Sequence, residues 1–80
     1  MDLTEKFEQQ AFEKVREKIL EMISIAAQNG EFKMAISYKF FNNNNKLLKY
    51  ILETLPQDGF VLRLYERKME IRWGEQGERN

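Results

Sequence analysis

Five side chains between residues 33 and 72 have types and spacing suited to chemistry: Lys33, Lys39, Arg63, Tyr65 and Arg72. Ammonium and guanidinium groups donate charge-assisted hydrogen bonds to phosphate or carboxylate, and a phenol ring offers a stacking surface. Each falls at an alternate position of an extended-looking segment: Lys33, Ser37 and Lys39 in one, Val61, Arg63 and Tyr65 in another, Glu70 and Arg72 in a third. Alternation puts such residues on one face of a sheet. From Lys33 to Arg72 the chain has eight basic residues (33, 39, 46, 49, 63, 67, 68, 72) and four acidic ones (53, 58, 66, 70), an excess of four positive charges. That face is a candidate site for a small anionic or nucleotide ligand, with single-stranded nucleic acid as the alternative. The plain account of the same residues is a solvated sheet face, and a third is a contact face between copies. No aromatic RNA-recognition motif is present, and Tyr65 is the one clear stacking residue on that face.

The composition removes much of the usual catalytic repertoire. The 80 residues include no histidine and no cysteine. The common general base, the thiolate nucleophile and most transition-metal ligands are therefore absent. Two carboxylate pairs remain, Glu66 with Glu70 and Glu75 with Glu78, and neither belongs to a recognisable acid/base or metal pattern. Gly74-Glu75-Gln76-Gly77 lacks the strand before and helix after that a phosphate-binding fingerprint requires. No enzyme activity, metal or cofactor is expected. Thirteen basic residues against thirteen acidic ones leave a formal net charge of zero. Such a chain has no global field steering it to nucleic acid or an anionic membrane.

The elements that must position these groups are legible as changes of period. Leu3, Phe7, Ala11, Val15, Ile19, Met22, Ile23 and Ala26 recur at spacings of three and four, predicting a helix from Leu3 to Gln28. Lys6, Gln10, Glu13, Glu17, Glu21 and Ser24 occupy its other side, with Glu13–Arg16, Lys14–Glu17 and Lys18–Glu21 as surface pairs. Asn29-Gly30 stops it. Phe32, Met34, Ile36, Tyr38 and Phe40 then alternate with smaller or charged residues, predicting a half-buried strand. Asn42 to Asn45 supply a turn and an N-cap. A second helix from Asn45 to Leu55 buries Leu47, Leu48, Ile51, Leu52 and Leu55. Pro56-Gln57-Asp58-Gly59 ends it. Phe60 to Tyr65 and Met69 to Trp73 form a hairpin with a turn near Glu66 to Lys68.

This order, helix-strand-helix-strand-strand, predicts an α+β fold as a single domain over residues 1–80, with 74–80 as a flexible tail. A crossing second helix makes the first two strands parallel to each other, and the third fits between them. The sheet is then antiparallel throughout, in order 1-3-2, with both helices over the face carrying Phe32, Met34, Ile36, Leu62, Leu64, Ile71 and Trp73. Trp73 and the methionines keep apolar period and belong to the core. At 1.5 Å per residue the first helix spans roughly 39 Å, longer than strands of five to eight residues at roughly 17–27 Å. Its overhang, with Phe7, Phe12 and Leu20, is the predicted homo-oligomer interface. The simpler account is a helix that wraps a small core and frays at its N-terminal end.

The segment Ile25-Ala26-Ala27-Gln28-Asn29-Gly30-Glu31-Phe32, then Leu52 and Leu55, Asp58-Gly59-Phe60-Val61, and Met69-Glu70-Ile71-Arg72-Trp73 together form a pattern. It is a helix ending in Ala-Ala-x-x-Gly, an alternating strand, a second helix, a Gly-aromatic strand and a last strand ending in Ile-x-Trp. This resembles small tailed-phage accessory proteins over residues 20–73. The run Asn42–Asn45 and the turn containing Pro56 depart from that pattern, and no functional residue carries over from it. The resemblance implies a protein acting by binding in the bacterial host cytoplasm, by inhibiting a host protein or sequestering a nucleotide signal. Structural or scaffolding work in a particle is the remaining reading. The cysteine-free composition points to the same reducing compartment, and no apolar run approaches the roughly 20 residues that span a bilayer.

Overall fold

A computed structural model describes residues 2–74. It has the expected element order: α1 (Leu3–Gln28), β1 (Lys33–Ser37), α2 (Asn45–Thr54), β2 (Val61–Leu64) and β3 (Lys68–Arg72). The three strands form one antiparallel sheet in order β1-β3-β2. Both helices lie on one face, as the crossover argument requires. The residues expected to form a tail, apart from Gly74, lie outside those described, as do Glu75 and Glu78.

Local chemistry sets the element ends. Asp2 caps α1: its Oδ1 accepts from the Glu5 N–H at 2.9 Å and the Thr4 hydroxyl at 2.7 Å. Those two bonds hold its carboxyl below the usual carboxylate range. At the other end the Gly30 N–H reaches the Ala27 carbonyl and the Glu31 N–H the Ala26 carbonyl, both at 3.0 Å. This paired closure requires a left-handed residue, and Gly30 provides it with φ 86°. In the asparagine run, Asn42 and Asn43 both take positive φ, 52° and 59°. Asn44 then caps α2 by accepting from the Leu47 N–H at 3.1 Å.

The strand predicted through Phe40 stops at Ser37. A 3-10 turn over Tyr38–Phe41 follows, and the Ser37 hydroxyl accepts from the Lys39 N–H at 3.2 Å. The turn directs Phe41 into the core, where it is buried, with its ring edge-on to Phe40. Alternation alone could not register this, because Tyr38 still donates to the Arg67 carbonyl as a strand residue would. The second helix likewise ends one residue early, at Thr54, and tightens into a 3-10 turn over Leu55–Asp58.

The core lies between the helices and the sheet. Ile19 of α1, Ile51 of α2, Leu55, and Met69 and Ile71 of β3 are wholly buried. Ile36 joins them from β1, while Met34, Leu62 and Trp73 pack against the cluster half-buried. Two residues expected in this layer are exposed. Phe32 precedes β1 at the sheet's end and lies against Gly74, and Leu64 sits in an outer strand that α1 and α2 do not fully cover.

α1 and α2 run parallel, offset by 38 residues. Glu8 Oε1 meets Lys46 Nζ at 3.7 Å, Phe12 packs on Tyr50 with ring centroids 5.6 Å apart, and the Arg16 Nε donates to the Thr54 hydroxyl at 3.2 Å. Arg16 also bridges to Asp58. It was expected to pair with Glu13 on the helix surface. Instead it clamps α1 to the end of α2, over a cleft of about 340 Å³ lined by Glu13, Arg16, Glu17, Tyr50, Thr54 and Gln57.

The helix does overhang: residues 2–11 are all exposed. Of the three predicted interface residues, only Phe7 fits that description. Phe12 is buried against α2, and Leu20 is half-buried against the core. The reason is angular. Successive residues turn by roughly 100°, so the row Leu3-Phe7-Ala11-Val15-Ile19-Ile23 precesses roughly 40° per step. Its N-terminal end has rotated away from the core by Phe7, whereas Phe12 lies nearly in line with Ile19.

Candidate functional site

The face of the sheet opposite the helices is open and carries the chemistry. Strand register orders it in rows. Lys33, Arg72 and Val61 lie side by side, then Ala35, Glu70 and Arg63, then Ser37 with Lys68. Tyr65 closes the hairpin, its N–H donating to the Lys68 carbonyl at 2.9 Å. The turn itself is Glu66 and Arg67, neither with positive φ. It needs no glycine or asparagine, which is why its position was hard to read. Lys68, assigned to the turn from the sequence, is therefore a strand residue on the open face. Its Nζ sits 5.5 Å from the Tyr65 ring centroid, within cation–π range.

Glu70 is the carboxylate at the centre of this face. Its Oε1 accepts from the Arg72 Nε at 2.6 Å. That bond holds the Glu70 carboxyl below the usual carboxylate range. Partial burial opposes the shift, and the charges of Arg72, Lys33 and Arg63 add to it. The carboxylate thus stays ionised and fixes the Arg72 guanidinium. Among the described residues, Lys33 and Arg63 make no ion pair of their own. They flank the Arg72–Glu70 pair from the two outer strands, with side chains open to water.

Four of the five residues read as ligand contacts, Lys33, Arg63, Tyr65 and Arg72, accordingly share the open face or its hairpin end. Lys39 does not. The 3-10 turn carries it off the sheet into a shallow hollow of about 440 Å³, with Ser37, Tyr38, Glu66 and Arg67. Two further residues, Lys68 and Glu70, complete the face. Lys68 was masked by the uncertain turn, although its spacing of two and four from Glu70 and Arg72 marks the same side of a strand. Glu70 does not pair with Glu66, which lies in the turn between β2 and β3.

The arrangement can attract and hold an anion; it offers no nucleophile activated by a neighbouring base. Among the described residues no three of His, Cys, Asp and Glu are grouped to hold a metal ion. No helix among them is long and apolar enough to cross a membrane. The site and fold define the chain's class as a small α+β domain presenting a cationic open sheet. Compared with protein-family models, with curated proteins and with solved structures, the chain matches none.

Proposed function

We propose that this is a non-enzymatic binding protein whose open sheet face captures a phosphate-bearing small ligand, and that it works as a homo-oligomer. The observation that carries the reading is the pair of cations Lys33 and Arg63, neither in an ion pair among the described residues, set on either side of an Arg72 already oriented by Glu70. A pre-oriented guanidinium loses little conformational freedom on binding phosphate, and the two flanking cations supply further charge. Tyr65 adds a surface for a base, which favours a nucleotide over inorganic phosphate. The resemblance of the sequence pattern to tailed-phage accessory proteins implies a capture role in a bacterial host, directed at a nucleotide signal rather than at catalysis.

A nucleic-acid regulator would use the same side chains. The zero net charge favours the small ligand, because a polyanion is recruited by a field that this chain lacks as a whole. The test is native mass spectrometry of the protein purified from bacterial cells without denaturation. An oligomer retaining a nucleotide-sized adduct is expected. A bare species that also fails to take up added nucleotides would overturn the reading.

A further inference from the structure

Among the described residues, no strand pairs with the outer edge of β2. Tyr65 and Lys68 form a hydrogen-bonded pair, so in this antiparallel ladder Val61, Arg63 and Tyr65 direct their main-chain groups to β3. Leu62 and Leu64 then direct theirs away from the sheet. None of the described main-chain bonds outside the ladders involves either residue.

Such an edge is a template for another strand, and chains blunt it with short strands, charged side chains, proline or a bulge. β2 is four residues long and carries Arg63, but it has no lysine, no proline and an unbroken register. It reads Val61-Leu62-Arg63-Leu64, and Val61 and Leu64 are exposed, as is Tyr65 beyond its end. The opposite edge, β1, has Lys33, Ala35 and Ser37 at its outward-facing positions and ends where Ser37 caps the following 3-10 turn.

We infer that the β2 edge pairs with β2 of a second copy of this chain, antiparallel across a twofold axis, joining two sheets into one of six strands. Strand alternation restricts the register, because the outward-facing residues must pair with one another. Centring the axis on Arg63 sets two guanidinium groups directly opposite, which is unfavourable. Centring it on Leu64 sets Leu62 against Glu66. Centring it on Leu62 pairs Leu62 with its copy, Leu64 with Phe60, and Arg63 with Val61. This third register covers the exposed Leu64 with apolar groups and opposes no like charges. It also makes the two Arg63 side chains diagonal neighbours, roughly 7–8 Å apart on the open face. Resting on the ligand reading above, that spacing lets one polyphosphate touch both protomers. A strand pair this short buries less than the roughly 1,200–2,000 Å² of a stable interface, so the association depends on concentration.

The experiment uses the protein without ligand, so its failure leaves the capture reading standing. Sedimentation across a concentration series is combined with amide hydrogen exchange on the same samples. The mass is expected to rise from 9.7 kDa toward twice that value. In parallel, exchange at Leu62 and Leu64 slows while that at Arg63 and Tyr65 stays slow throughout. Leu64→Lys puts a charge on an exposed position and is expected to hold the chain monomeric with its melting temperature unchanged. A wild-type chain that stays monomeric with Leu62 and Leu64 exchanging freely would overturn the inference. So would a dimer that survives Leu64→Lys, and its loss in Phe7→Glu would move the contact to α1.

Discussion

Arg63→Glu is expected to weaken binding of a nucleoside triphosphate by at least about 10-fold at low salt, because each charge-assisted hydrogen bond to phosphate contributes about 1.5–3 kcal/mol. The reversed charge adds repulsion to that loss. Arg63 stands opposite Glu70 on the central strand, so the substitution also sets two carboxylates side by side. Like charges opposite one another on a sheet cost about 0.2–1 kcal/mol. That is a small part of the roughly 4–12 kcal/mol expected for 80 residues at 0.05–0.15 kcal/mol each. The variant should remain folded by circular dichroism while titration calorimetry loses its signal. Arg63→Ala, which removes the positive charge without adding a negative one, should fall between the two. Triphosphate affinity unchanged in a folded Arg63→Glu protein would remove Arg63 from the site.

The second large effect concerns stability. Ile51→Ala is expected to destabilise the domain by about 2–5 kcal/mol, the range for truncating a fully buried aliphatic side chain. Ile51 is 0 % exposed and belongs to the cluster that joins α2 to Ile19, Met69 and Ile71. It therefore ties both helices to the central strand, and little of the surroundings can collapse into the space it leaves. On an 80-residue domain this is a large fraction of the total. The midpoint in urea should fall steeply with little change in slope. Ile25→Ala is the matched control: it removes similar atoms from an exposed position of α1, and its effect should stay within about 0.5 kcal/mol. Similar losses in the two variants would mean that the core does not lie where the structure places it.

The sequence made the order of elements legible because period carries that information directly. The bounds of α1 follow from a capping aspartate, a long i, i+4 row and Asn29-Gly30, each a local signal. Sheet order followed from connectivity and strand direction. Side-chain fates were harder to read. Phe7 and Phe12 look alike as helical aromatics, and only the packing partner Tyr50 decides that Phe12 is interior. Arg16 meets Asp58 across 42 residues, a separation at which no spacing rule operates. Lys39 left the sheet because a 3-10 turn that buries Phe41 replaces the last three residues of the predicted strand. The basic face was legible as alternation. Its organisation around Glu70 was not, because that depends on which strands lie side by side.

The most direct measurement of the central claim is a nitrogen–proton correlation spectrum of the isotope-labelled protein during titration with a nucleoside triphosphate at low salt. The predicted shifts cluster on Lys33, Arg63, Lys68, Glu70 and Arg72, with Tyr65 following the base, and they do not appear with the uncharged nucleoside. Shifts confined to the α1–α2 cleft around Arg16, or no shifts at saturating triphosphate, would contradict an anion site on the open sheet.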